Sequence, residues 1–199
     1  FFRVEADVIA AKPALHIFQQ TADDFFASGF LSAMGARLGF SFLDGLHLFE
    51  YLLRDFINTE KHSDPGGVIA LHDCCPFRHE MTTRTIDPPP KGAWAGDVWK
   101  LIPILQAARP DLTITVLGCA PTGLVLVSNL DPENTVLASR YEAIVEEWTP
   151  VTLQDYGAAR FYDRFDYTPC AQIADSGYAM FDKVRLSPDR AVTPRYISP

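Results

Sequence analysis

Two aspartates and two histidines follow two short apolar runs of the sequence. Asp44 and His47 come just after the run Phe-Ser-Phe-Leu, and His72 and Asp73 come just after the run Val-Ile-Ala-Leu. The carboxylates of Asp44 and Asp73 and the imidazole of His72 are groups that hold a divalent cation, although imidazole suits a transition metal better than Mg²⁺. The alternative is that His72 and Asp73 shape the pocket of a substrate.

Asp44 and His47 each allow a functional and a structural interpretation. Asp44 could bind a cofactor or a cation, or it could cap a helix that begins at Leu46, because aspartate is a preferred N-cap residue. Imidazole titrates near neutral pH, so His47 could remove a proton from a substrate hydroxyl group. His47 could equally hydrogen-bond a backbone carbonyl and pack in the interior.

The surrounding stretch, residues 40–76, predicts the element order that positions these four residues. Apolar residues recur at helical spacing between Leu48 and Phe56, and the sequence Asp-Pro-Gly-Gly at 64–67 ends that pattern. A strand, a helix and a second strand in this order form a βαβ unit of a parallel sheet. Ligands bind outside the carboxyl ends of such strands, so we expect the four polar residues at one sheet edge.

The flanking sequence predicts further elements on both sides of this unit. Before it we expect a helix over 2–12, a strand over 15–19 and a helix over 23–27 that Thr21 caps. After it we expect a proline-rich loop over 74–92 that acts as a lid, a helix over 94–108, strands over 112–117 and 124–127 that pair as an antiparallel hairpin, and a helix over 134–148. The tail has no clear element, and its aromatic residues predict packing over the domain or across a homo-oligomer interface.

Composition excludes several classes of function. The formal net charge is −8 with no dense basic cluster, so we expect no nucleic acid as a partner. No apolar run approaches the roughly 20 residues that span a bilayer, so we expect no membrane partner. The 4 cysteines are too few and too irregularly spaced for a disulfide framework, which favours free thiols and a cytoplasmic location.

The order of the predicted elements is similar to the second half of a class I S-adenosylmethionine-dependent methyltransferase. Residues 44–50, Asp-Gly-Leu-His-Leu-Phe-Glu, resemble the Asp-Gly-x-His-x-x-Glu signature of a bacterial small-molecule methyltransferase group. Residues 64–73 resemble the Pro-Gly-Gly turn and the next strand of the same fold. The resemblance covers roughly residues 10–148.

This resemblance implies an α/β, Rossmann-like sheet that is mainly parallel and ends in an antiparallel hairpin. The methyltransferase-like domain would occupy residues 1–148, and residues 149–199 would form an aromatic-rich extension. Members of the family begin with a strand and a Gly-rich turn, and no Gly-x-Gly precedes residue 15 here. We therefore expect the N-terminal strands of the fold to be missing and the chain to be a fragment.

The function that the resemblance implies is methyl transfer from S-adenosylmethionine to an oxygen or nitrogen of a small molecule, with or without a divalent cation. His47 or Asp73 would accept the proton of the methyl acceptor. Members of the family contact the adenine edge of the cofactor just after their third strand. Thr21, Ala22 and Asp23 would do so here, unless they simply begin a helix. Asp44 would face the methionine end of the cofactor. The cofactor-binding candidates are Thr21, Ala22, Asp23 and Asp44.

Two other classes of function stay open. One is a non-catalytic domain that retains the fold and binds a partner through its aromatic tail. The other is a metal-dependent hydrolase or hydroxylase-like enzyme that uses Asp44, His72 and Asp73 as ligands. No strained nucleophile turn and no phosphate-binding loop occurs in the sequence, which argues against a hydrolase with a covalent intermediate.

Overall fold

The computed structural model describes residues 16–88 and 92–184, which form an α/β arrangement. Short 3-10 helices lie at His79–Thr82, Val98–Lys100 and Ala179–Phe181. In chain order the other elements are α1 Ala22–Ala27, α2 Phe30–Met34, β1 Leu38–Leu43, α3 Phe49–His62, β2 Ser63–His72, α4 Leu101–Ala108, β3 Thr113–Leu117, β4 Leu124–Ser128, α5 Val136–Ser139, α6 Tyr141–Trp148, α7 Leu153–Tyr156, α8 Ala158–Tyr162, β5 Tyr167–Thr168 and α9 Cys170–Asp175.

The sheet is mixed, with strand order β1-β2-β4-β3-β5. β1 and β2 pair in parallel, as do β3 and β5, whereas β4 is antiparallel to both β2 and β3. The predicted hairpin of β3 and β4 is confirmed. The sheet is partly parallel: β1, β2, β3 and β5 run in the same direction, and β4, which lies between β2 and β3, runs against them.

The predicted βαβ unit is present as β1, α3 and β2. The glycine-containing segment at 64–67, predicted to be a turn, belongs to β2 instead. It bulges, because Leu38 pairs with Ser63 whereas Phe40 pairs with Val68. A Cβ on Gly67 would lie 2.9 Å from three backbone carbonyl oxygens, so only glycine fits where the two strands come this close.

The N-terminal part of the described chain differs from the prediction. Residues 16–19 do not form the expected strand; His16 and Phe18 instead pack their rings edge-on against Phe30. The predicted helix over 23–27 is confirmed as α1, and Thr21 caps it by accepting a hydrogen bond from the Asp24 N–H. The predicted helix over 2–12 lies outside the described residues.

Two predicted helices are shorter than expected. The helix predicted over 94–108 begins at Val98, because the N–H groups of Ala95 and Gly96 donate to the carbonyl oxygen of Met81 instead of joining a helix. The helix predicted over 134–148 consists of α5 and α6, which are separate elements that meet at Arg140. α5 begins at Val136 instead of residue 134, because the Asn134 side chain accepts a hydrogen bond from the Val136 N–H.

Both faces of β2 are covered. Ile69 and Leu71 of β2 face the larger core with α3 and α4, whereas Val68 and Ala70 face the smaller core beneath the C-terminal residues. The tail has more structure than the sequence indicated, since α7, α8, β5 and α9 all form within it. Phe161 of α8 is fully buried and contacts the ring of Trp99, so the tail packs over the domain. No helix in the described part of the chain combines the length and apolar character that crossing a bilayer requires.

Candidate functional site

The ends of β1 and β2 bring together the four polar residues that the sequence singled out. Nε2 of His47 lies 3.3 Å from Oδ1 of Asp44 and 3.3 Å from Oδ2 of Asp73. Nδ1 of His72 lies 3.2 Å from Oδ1 of Asp44 and 3.4 Å from Oδ1 of Asp73. Both imidazoles therefore contact both carboxylates. We call Asp44, His47, His72 and Asp73 the strand-end cluster.

The hydrogen bond on the other side of His47 determines which nitrogen faces the carboxylates. Nδ1 of His47 lies 2.8 Å from the carbonyl oxygen of Trp94, and a carbonyl only accepts, so Nδ1 carries the hydrogen. In a neutral imidazole Nε2 then has only a lone pair, and this lone pair faces Asp44 and Asp73. Because a lone pair facing two carboxylates is repelled, a positive charge between these three groups would stabilise the arrangement.

Asp44 and His47 lie before α3, not inside it. α3 begins at Phe49, and its N-cap residue, Leu48, makes no side-chain capping bond. The alternative that Asp44 caps this helix is therefore wrong; the N–H of Phe49 donates instead to Oδ1 of Asp97, at 2.9 Å. The side chain of Asp44 keeps 41% of its surface exposed, so it faces solvent beside the two histidines.

Asp73 is held in an uncommon backbone conformation. Its φ is +59°, in the left-handed region that costs an ordinary residue of order 1–3 kcal/mol. Its buried carboxylate accepts a hydrogen bond of 2.5 Å from the hydroxyl of Thr122, and the N–H of Cys75 donates to the Thr122 carbonyl. Thr122 thus fixes both Asp73 and the chain after it. In the sequence, Thr122 is only a residue of the turn between the two strands of the predicted hairpin.

An ionic network around the buried carboxylate of Asp97 holds the other side of the turn at residues 44–48, which we call the His47 turn. The carboxylate of Asp97 accepts hydrogen bonds from Arg84, at 2.5 Å, and from Lys100, at 2.7 Å. Arg84 also forms a bidentate pair with Glu50 of α3, which raises the pKa of the guanidinium, whereas burial lowers the pKa of Lys100. The network anchors the loop after β2 onto α3. The charges of its two carboxylates and its two cationic side chains balance.

The candidates for the adenine edge lie at the start of α1, where no hydrogen bond or ion pair links them to the strand-end cluster within the described residues. Thr21 caps α1, and Ala22 is its first residue. Both carboxylate oxygens of Asp23 accept hydrogen bonds of 2.6 Å from Arg54, and this contact raises the pKa of Arg54. These contacts are those of a capped helix start.

The strand-end cluster contains a set of atoms that could hold a metal ion. One ligand atom each from Asp44, His47 and Asp73 can be chosen so that all three lie within 4.8 Å of one another. This set differs from the predicted one in having His47 in place of His72, which contacts the same two carboxylates from a second side.

No family model, no curated protein and no solved structure matches the chain.

Proposed function

We propose that Asp44, His47 and Asp73 bind one divalent cation at the strand ends. The observation that carries this proposal is the orientation of His47: its Nδ1–H is bound to the Trp94 carbonyl, and its Nε2 lies 3.3 Å from each of two carboxylate oxygens. Metal-binding histidines usually donate their second N–H to a carbonyl or carboxylate in this way. Such a donor set fits a cation and leaves positions open for a substrate.

The chemistry of the ligands favours a first-row transition ion. Two carboxylates and one imidazole suit Mn²⁺, Fe²⁺ or Zn²⁺ better than Mg²⁺, which prefers oxygen ligands. Asp44 is the exposed ligand, and the side chain of Asp73 is 12% exposed, so a substrate oxygen would approach from the side of Asp44.

We propose further that the reaction at this site is methyl transfer from S-adenosylmethionine to an oxygen or nitrogen of a small molecule in the cytoplasm. Support comes from the βαβ unit, the hairpin that follows it and the resemblance of residues 44–50 to a methyltransferase signature. When bound, the cofactor supplies an electrophilic methyl group. The described residues fit the cofactor in part. Asp44 is open to solvent, and Asp23 is 47% exposed. Each carboxylate oxygen of Asp23 can accept a second hydrogen bond beside the one from Arg54.

The chain's own residues would position the acceptor and take its proton. Because the transfer is an in-line displacement, most of the acceleration comes from holding the two partners in the right geometry. The two imidazoles contact the same two carboxylates, and a single cation would use only one of the imidazoles as a ligand. With His47 as ligand, His72 is the imidazole left to accept a proton; with His72 as ligand, His47 takes that role, as the sequence predicted.

Replacing Thr122 by valine is expected to weaken Mn²⁺ binding about 10–100-fold, because residues that orient a metal ligand typically contribute that much. Valine has nearly the shape of threonine but cannot donate to Asp73, whose carboxylate would then rotate. Isothermal titration of Mn²⁺ measures the effect. Thr122→Ser keeps the hydroxyl and is the matched control, so equal affinities for the two variants would contradict the role assigned to Thr122.

The proposed reaction is tested by titrating S-adenosylmethionine into the protein with and without Mn²⁺. We expect saturable binding that Asp44→Asn weakens by roughly tenfold or more, since Asp44 faces the methionine end and one lost charged contact costs about 1.5–3 kcal/mol. Mn²⁺ binding without cofactor binding would support the metal-dependent hydrolase or hydroxylase instead. Binding of neither would support a non-catalytic domain.

A further inference from the structure

Two cysteines that are far apart in the sequence meet at the surface. Sγ of Cys119, in the loop between β3 and β4, lies 2.6 Å from Sγ of Cys170, although 51 positions separate them. That distance exceeds the length of a disulfide bond, about 2.05 Å, by only about 0.6 Å. Both thiols are free in the structure.

Strand pairing holds the two cysteines in this position. Leu117 of β3 pairs with Thr168 of β5, and the N–H of Gly118 donates to the Thr168 carbonyl at 3.0 Å. Cys119 lies two residues after the end of β3, and Cys170 lies two residues after the end of β5. Since hydrogen bonds fix both backbones, the sulfur atoms are brought together by the sheet.

We propose that Cys119 and Cys170 form a reversible disulfide bond that joins the C-terminal extension to the β3–β4 hairpin. Cys170 is exposed and Cys119 is partly exposed, so an oxidant in solution reaches both. Cys74 and Cys75 are buried, and burial raises the pKa of both thiols, that of Cys75 to about 12. Oxidation is therefore selective, because the thiolate is the reactive form.

The oxidant that the chemistry requires is a small disulfide such as oxidised glutathione. The thiolate of Cys170 attacks one sulfur of that disulfide, a mixed disulfide forms and one glutathione thiolate leaves. The thiolate of Cys119 then attacks the Cys170 sulfur and expels the second glutathione. The two protons lost by the cysteines are taken up by the two glutathione thiolates, so the protein is oxidised by two electrons and the glutathione disulfide is reduced.

The order of attack follows from the contact between the two sulfur atoms. The hydrogen bond with Cys170 and burial raise the pKa of Cys119 to about 11. Cys119 therefore reacts second, when the mixed disulfide on Cys170 places a sulfur beside it. In the reducing cytoplasm that the composition favours, a bond of this kind is transient and responds to redox conditions.

The bond would also affect the strand-end cluster. The loop that carries Cys119 also carries Thr122, which binds Asp73. Oxidation restrains this loop and closes a long chain segment, so the Tm of the oxidised protein is expected to rise by roughly 5–15 °C. A change in Mn²⁺ affinity on oxidation would follow only if the proposed function is correct; the disulfide itself does not depend on it.

The test is oxidation of the full chain with glutathione disulfide, followed by alkylation of free thiols, proteolysis and mass spectrometry. Before alkylation, the intact oxidised chain should be roughly 2 Da lighter, from the loss of the two thiol hydrogens, and after proteolysis we expect a peptide pair linked through Cys119 and Cys170. Dithiothreitol should reverse both changes. Cys119→Ser is expected to retain glutathione on Cys170, and the buried-site control Cys74→Ala should form the same linked pair as the wild-type chain.

Two results would overturn the proposal. One is full alkylation of Cys119 and Cys170 after oxidation, and the other is stable glutathione on both residues at once. As a second measurement, the Tm of Cys170→Ser should be the same before and after oxidation, whereas that of the wild-type chain rises. An unchanged Tm in the wild-type chain would contradict the proposed link.

Discussion

Replacing Asp97 by alanine is expected to lower the free energy of unfolding by about 3–5 kcal/mol, the range found when one partner of a buried ion pair is removed. The side chain of Asp97 is 3% exposed and accepts from Arg84, from Lys100 and from the N–H of Phe49. Alanine would leave a buried ammonium, a guanidinium and the first N–H of α3 without their acceptor. Urea denaturation followed by circular dichroism measures the loss.

Two variants make this prediction specific. Asp97→Asn keeps an oxygen for Phe49 but removes the charge, so its loss should be smaller than that of Asp97→Ala. Asp23→Ala removes an aspartate that also pairs with an arginine but is 47% exposed, and exposed pairs contribute only about 0–1 kcal/mol. If Asp97→Ala cost no more than Asp23→Ala, the network would not be the anchor of the His47 turn.

Replacing Gly96 by alanine is expected to disturb both the stability and the cation site. A Cβ at this position would lie 1.6 Å from the carbonyl oxygen of His47, a distance at which the backbone must move. The φ of Gly96 is +55°, which by itself costs alanine about 1–2 kcal/mol. We expect a total loss above about 3 kcal/mol and a Mn²⁺ affinity at least roughly tenfold weaker, because displaced ligands lose 10–100-fold.

Gly29 supplies the matched control. Its φ is +69°, similar to that of Gly96, but nothing lies within 4 Å of the position where its Cβ would be. Gly29→Ala should therefore lower the free energy of unfolding by only about 1–2 kcal/mol, the cost of the left-handed backbone conformation, and should bind Mn²⁺ as the wild-type chain does. Isothermal titration and urea denaturation of both variants separate the steric effect from the backbone effect. Equal Mn²⁺ affinities for the two variants would mean that the contact with His47 does not position it.

The sequence predicted the meeting of Asp44 and Asp73 because that meeting depends on local patterns. Two apolar runs, a helical pattern between them and the parallel pairing of a βαβ unit are enough to place both residues at one edge. The central position of β4 depends on pairing with strands on both sides, which a pattern within one strand does not specify. The sequence therefore predicted the hairpin of β3 and β4 but did not specify that β4 also pairs with β2.

The partners that orient the site could not be predicted in the same way. The carbonyl oxygen that binds His47 belongs to Trp94, 47 positions away, and every residue has a carbonyl. The hydroxyl of Thr122 reaches Asp73 across 49 positions. Asp97, 48 positions from Phe49, accepts the first N–H of α3, whereas the local sequence offered only Asp44 as a possible cap. Long-range contacts of backbone atoms and of common side chains have no local sequence signature.

The cation site is tested most directly by titrating Mn²⁺ into the wild-type chain and into His47→Gln, His72→Gln and Asp73→Asn. We expect one ion per chain. Its affinity should be at least roughly 100-fold weaker in His47→Gln and Asp73→Asn, because loss of even an outer partner of a ligand weakens binding about 10–100-fold. His72→Gln should change the affinity much less, because His72 is not one of the three ligands. Loss of binding in His72→Gln with binding retained in His47→Gln would contradict the assigned ligand set. No binding of Mn²⁺, Fe²⁺ or Zn²⁺ to the wild-type chain would contradict the site itself.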